Sequence, residues 1–111
     1  MTLILAQRLR NCTRTLLLEE ADGDDVTPGS SDVVRVRIGR EGETDKLSVS
    51  STAATANGSS VTKGAPCTMR LDAQDLDFEA GTYTLAVELQ DNADAQDWKT
   101  VSRQVFVLEP T

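Results

Sequence analysis

Aspartates are the side chains of this sequence best placed to do chemistry, because three short segments each hold three of them. The segments are Asp22/Asp24/Asp25, Asp72/Asp75/Asp77 and Asp91/Asp94/Asp97. A hard cation such as calcium takes several oxygen ligands from one loop, which makes each segment a candidate. None of them has the D-x-D-x-D-G spacing of the best-known calcium loop. Aspartate is also favoured in turns and caps, so we expect no metal and keep calcium binding as the alternative.

Other catalytic constellations need residues that the chain lacks. Its 111 residues include no histidine, which excludes Ser-His-Asp and Cys-His catalysis and most zinc sites. Cys12 and Cys67 lack C-x-x-C spacing, so we expect free, buried thiols. One tryptophan and one tyrosine are few for a sugar cleft with paired carboxylates. We therefore expect no enzyme activity and no cofactor.

The charge of the chain is unevenly distributed. Eleven basic and 18 acidic residues give a net charge of −7, which argues against nucleic acid as a partner. Residues 1–70 hold nine basic and nine acidic residues, whereas residues 71–111 hold two basic and nine acidic residues. The excess acidity either keeps the protein soluble or faces a basic partner or a cation.

Arginines are the candidate contacts in the neutral part of the chain. Arg8 and Arg10 lie near the N-terminus, and Arg35 and Arg37 alternate with valines. Such arginines are either solvated or face an acidic neighbour. The acidic third of a second copy would serve as that neighbour, and its candidate residues are Asp91, Asp94 and Asp97.

Period-two alternation of apolar residues positions these side chains. It predicts strands around Cys12–Leu18, Val34–Ile38, Leu47–Val49, Cys67–Leu71, Tyr83–Leu89 and Trp98–Leu108. In the last strand it places Val101, Val105 and Val107 on one face, and Trp98, Phe106 and Leu108 on the other. Asn57-Gly58 predicts a type I′ hairpin. The pattern indicates an all-β chain, a single antiparallel β-sandwich domain of about 7–8 strands over residues 1–111.

The N-terminal segment allows two interpretations. Residues 1–10 combine an apolar block, including Leu3 and Leu5, with two arginines. The segment is either the first strand of its own sandwich or an arm that adds to the sheet of a neighbouring subunit. No apolar stretch reaches the roughly 20 residues of a membrane helix, and no signal peptide is visible. We therefore expect no membrane association and synthesis in a reducing cytoplasm.

The last 40 residues carry a resemblance to a known family. Phe78, Gly81 and Tyr83 lead into an alternating strand, followed by an aspartate-rich loop and Trp98. This closing hairpin resembles that of immunoglobulin-like β-sandwich domains in tailed-phage virion proteins, and it is similar to the N-terminal domain of phage baseplate upper proteins. A tyrosine two residues after a glycine also resembles the tyrosine corner, whose role is structural.

The resemblance implies a virion structural protein without enzyme activity. The most concrete expectation is a capsid decoration or cement subunit, located in the virion, that binds the major capsid protein or other virion proteins and possibly itself. A tail or baseplate component is the alternative within this class. A carbohydrate- or ligand-binding β module is the rival from another class.

Overall fold

The computed structural model describes residues 3–16, 18, 27–64, 66–90 and 98–111. Within these ranges it contains strands and no helix, which confirms the expected all-β class. The strands are β1 (Leu3–Gln7), β2 (Cys12–Thr15), β3 (Val33–Gly39), β4 (Leu47–Ser50), β5 (Ser60–Thr62), β6 (Thr68–Leu71), β7 (Gly81–Gln90) and β8 (Lys99–Glu109).

The strands form two sheets that share one core, as in a β-sandwich. The larger sheet has the order β1-β8-β7-β3-β4, and the smaller sheet has the order β2-β6-β5. All pairs are antiparallel except β1 and β8, which run parallel from Leu3 opposite Val105 to Gln7 opposite Glu109. The sequence predicted antiparallel pairing only. A parallel pair is possible because β1 and β8 are the first and last strands of the chain and no hairpin joins them.

Alternation places the apolar side chains in the core as expected. In β7, Tyr83, Leu85 and Val87 are buried, and the residues between them face outward. Val36 lies opposite Val87 and Ile38 lies opposite Leu85, so these side chains pack across the strands. Leu76, in the turn before β7, is also fully buried.

The last strand departs from the predicted pattern because it contains a β-bulge. Val87 lies opposite Ser102 and Glu88 lies opposite Thr100, which leaves Val101 without a partner of its own. A bulge inserts one residue and reverses the alternation beyond it. At the bulge, the odd-numbered Val101 therefore faces the core. Beyond the bulge, the even-numbered Gln104, Phe106 and Leu108 face the core instead.

The Asn57-Gly58 turn also differs from the prediction. The Gly58 amide donates to the Thr55 carbonyl at 3.0 Å, and the Thr55 amide donates to the Ser59 carbonyl at 2.9 Å. Gly58 has a φ of +100°, whereas a type I′ turn would need positive φ at Asn57 as well, and Asn57 does not have it. The loop is a type I turn followed by a glycine bulge. Gly58 therefore comes directly after the two central residues of the turn and is not one of them.

Candidate functional site

Asp75 belongs to one of the predicted aspartate clusters, and hydrogen bonds within the protein occupy its carboxylate. Thr55 and Ser59 donate their hydroxyls to it, and the Asn57 amide donates at 2.8 Å. Burial favours a raised pKa for Asp75, but the hydrogen bonds from Ser59, Thr55 and Asn57 outweigh it and lower the pKa of this carboxyl. The carboxylate ties the turn before β5 to the turn after β6.

The other two aspartates of this cluster have separate partners. Asp72 accepts a hydrogen bond from the Gln74 amide at 3.0 Å and pairs with Arg70 at 3.4 Å. Asp77 pairs with Arg8 at 2.6 Å. Among the residues that the structure describes, no group of three or more potential ligands could hold a metal ion. The clusters around Asp24 and Asp94 lie outside the described residues.

Arg35 and Arg37 lie on the outer face of the larger sheet, where carboxylates of the same chain bind them. Two nitrogens of Arg35 donate to one oxygen of Glu88 at 2.8 and 2.6 Å. Arg37 donates to Asp45 at 2.6 Å and approaches the second oxygen of Glu88 at 3.4 Å. Because Glu88 lies opposite Arg35 in the register of β3 and β7, the sheet itself creates this contact.

Trp98 completes this charged network. The guanidinium of Arg35 lies 3.9 Å from the centroid of the Trp98 ring, a cation–π contact. Two positive and two negative groups therefore neutralise one another here. Arg35 and Arg37 remain predicted partner contacts, but little of their charge is left for a partner.

Tyr83 and Gly81 form the predicted corner at the start of β7. The Tyr83 hydroxyl donates to the carbonyl of Glu79, and the ring is buried against the edge of Phe78. The guanidinium of Arg40 lies over the Tyr83 ring, 4.3 Å from its centroid. Gly81 has a φ of +156°, and a Cβ there would collide with Arg40. These residues hold the entry to β7 and have a structural role.

Three leucines stand out on the surface because they are large, apolar and exposed. Leu3, Leu5 and Leu9 are 55%, 48% and 47% exposed, and they are the only exposed large hydrophobic residues in the described part of the chain. Leu3 and Leu5 lie opposite Val105 and Val107, which are half-buried on the same outer face. We call Leu3, Leu5, Val105 and Val107 the aliphatic patch. Contiguous apolar surface of this kind is typical of interaction sites.

Three arginines lie beside the aliphatic patch. Arg103 precedes Val105 by two positions and shares its outer face. Arg10 and Arg14 line, with Leu5, a depression of about 340 Å³ whose lining contains one carboxylate, Glu109. Residues 3–16 contain no Asp or Glu. Within the described ranges, Arg10, Arg14 and Arg103 form no ion pair.

A second groove, of about 370 Å³, lies on the outer face of the larger sheet beside the β3–β4 turn. Small residues such as Thr84 and Ala86 form its floor, and charges of both signs form its walls. Sugars bind by stacking on exposed aromatic faces, and this groove offers none: no aromatic residue is among those that line it.

The sequence prediction and the structure overlap at the patch and differ around it. Leu3 and Leu5 were candidate contacts and are exposed, whereas Val105, Val107 and Arg103 were not identified. The run of alternate residues from Arg103 to Val107 was the available signal, but the sequence does not show that β1 lies beside it. Asp91, Asp94 and Asp97 lie outside the described residues.

Comparisons with known proteins do not assign the chain to a family. No protein-family model matches it, and no curated protein is similar enough to match. In the described residues, no helix has the length and apolar character to cross a membrane.

Proposed function

We propose that this chain is a non-enzymatic structural subunit of a phage virion, most concretely a capsid decoration subunit that binds the major capsid protein. The aliphatic patch carries the proposal, because it exposes two leucines of β1 opposite two valines of β8. Burying such side chains against a partner contributes roughly 1.5–3 kcal/mol each. A subunit that binds an assembled shell stabilises it by mass action.

The order of the strands supports an immunoglobulin-like topology, and with it the resemblance to phage virion domains. In an immunoglobulin sandwich, strands B, E and D are neighbours in one sheet, and strands C, F and G in the other. Here β2, β6 and β5 take the first set of places, and β3, β7 and β8 take the second. The Tyr83 hydroxyl bond to Glu79 fits the corner of strand F.

No observation favours the carbohydrate-binding alternative. Tyr83 and Phe106 are buried, and Trp98 has a guanidinium on its ring. The tail or baseplate alternative predicts the same kind of contact with a different virion protein. Binding to shells or to tails distinguishes these two alternatives.

Co-sedimentation tests the proposal. Capsid shells of the phage that encodes the chain, assembled without it, are mixed with purified protein and pelleted. We expect wild-type protein to pellet with the shells, Leu5→Glu to remain in the supernatant, and Thr62→Glu to behave like wild type. Thr62 is an exposed strand residue of the smaller sheet and controls for added charge. Pelleting with purified tails but not with shells would identify a tail component, and pelleting with neither would refute a virion role.

A further inference from the structure

We infer that the aliphatic patch docks face-on against an aliphatic surface with an acidic border on a different protein, and not by adding a strand to the edge of β1. This inference rests on the proposed function and specifies the chemistry of the partner. It has three parts, which concern the backbone edge of β1, the charges around the patch, and the exclusion of a second copy as the partner.

Two carbonyls on the free backbone edge of β1 are already occupied. The Arg8 amide donates to the Glu109 carbonyl at 2.9 Å, which shows that even-numbered residues direct their backbone groups toward β8. Odd-numbered residues therefore face the free edge. There the Leu5 carbonyl accepts a bond from Arg14 at 2.9 Å, and the Gln7 carbonyl accepts a bond from the Arg10 amide at 3.2 Å. An added strand needs these acceptors, so Arg14 protects the edge as charged residues protect many edge strands.

The border of the patch is positive on the side of Arg10 and Arg14, in a protein whose net charge is −7. Arg103, Arg10 and Arg14 provide three cations that no carboxylate of the described residues neutralises. Glu109 is the one acidic residue in the depression that Arg10 and Arg14 line. Arg103 also lines the groove beside the β3–β4 turn, whose carboxylates are Glu41, Glu43, Asp45 and Glu88. A surface with matching carboxylates around its apolar centre would complement this arrangement. Complementary borders guide association and set which partner is chosen.

A second copy is a poor match for the same surface. A two-fold symmetric contact places each patch against itself, which would bring arginines against arginines. Like charges that face one another across an interface disfavour association. Between a patch-to-patch dimer and a different, acidic protein, the charges favour the acidic protein.

Charge-reversal variants in the shell-pelleting assay test this inference. We expect Arg103→Glu and Arg10→Glu to weaken shell binding at least tenfold, and Lys46→Glu, an exposed control in the β3–β4 turn, to leave it nearly unchanged. Raising sodium chloride from 50 to 500 mM should weaken wild-type binding more than it weakens Arg103→Glu. The melting temperature of each variant verifies that it folds.

The outcomes separate this inference from the proposed function. Loss of binding in Leu5→Glu with full binding in both charge-reversal variants would refute the acidic border and leave the virion role intact. Stronger binding by Arg14→Ala would indicate strand addition, because that change frees the Leu5 carbonyl. A wild-type dimer at low salt that Leu5→Glu abolishes, or equal binding to anionic lipid vesicles, would replace the acidic protein with another occupant. Failure of wild-type protein to bind shells or tails would refute both proposals.

Discussion

At the scale of single residues, polar side chains of this protein bind loops to the sandwich. Lys63 shows this clearly, since its ammonium donates to the carbonyls of Gly29, Ser30 and Asp32 at 2.7–3.1 Å. These three bonds use all its protons. Lys63, which directly follows β5, therefore links the end of that strand to the segment before β3.

Asp75 makes stability depend on pH. Its pKa is lowered in the folded protein, so its contribution is fully present above its unfolded pKa of about 4 and is lost as pH falls through the folded value. We expect Asp75→Asn to cost about 1.5–3 kcal/mol of unfolding free energy at pH 7 and progressively less below pH ~4. Denaturant titrations of both proteins from pH 7 to pH 3 measure this. A difference that stays constant across this range would contradict the assignment.

Tyr83→Phe tests the corner at the start of β7. The change removes only the hydroxyl that bonds to the Glu79 carbonyl and keeps the contacts of the ring with Phe78 and Arg40. We expect a loss of about 1 kcal/mol in unfolding free energy. Thermal and chemical unfolding measure it, and an unchanged stability would show that the bond contributes nothing net.

At the scale of elements, alternation decides which side chains enter the core. Leu85 is fully buried in β7, whereas its neighbour Thr84 is exposed on the outer face. We expect Leu85→Ala to cost about 2–5 kcal/mol, since it removes buried methyl groups and leaves a cavity. Thr84→Ala, its matched control, should change stability by about 0.5 kcal/mol or less. Equal effects of the two variants in urea unfolding would mean that the faces of β7 are reversed.

The elements also show where prediction from sequence succeeded. The strands at Val34–Ile38 and Tyr83–Leu89 were predicted on the correct faces, because alternation is a local property of the chain. The face of β8 was only partly predicted, because its bulge depends on how β8 pairs with β7. The predicted type I′ turn at Asn57-Gly58 was wrong, because the loop forms a type I turn and places Gly58 at the bulge position that follows it.

At the scale of the whole molecule, strand register keeps the two cysteines apart. Both are free and buried, as expected. Cys12 lies opposite Leu71, whereas the Cys67 carbonyl accepts a bond from Leu16, four positions after Cys12 and just past the end of β2. Four residues span about 13 Å along a strand, well beyond the ~7 Å that a disulfide bridges.

Reducing agent should therefore not affect stability. We expect the same melting temperature with and without dithiothreitol in freshly purified protein, and two thiols per chain in a denaturing thiol assay. Burial raises the pKa of the Cys12 thiol, despite an opposing effect of Arg14, so this thiol should react slowly in the folded state. A lower melting temperature under reducing conditions would contradict the register of β2 and β6.

The sequence by itself determined the all-β class, most of the core residues, the free thiols and the exposed candidates Leu3 and Leu5. Each of these follows from residue type and from the period of two along one strand. The tertiary structure decided that β1 lies parallel beside β8, which brings the leucines to Val105 and Val107. It also decided that Glu88 neutralises Arg35 and that Arg103 borders the aliphatic patch. These features depend on which distant strands become neighbours and in what register, and side-chain packing sets both only when the sheets assemble.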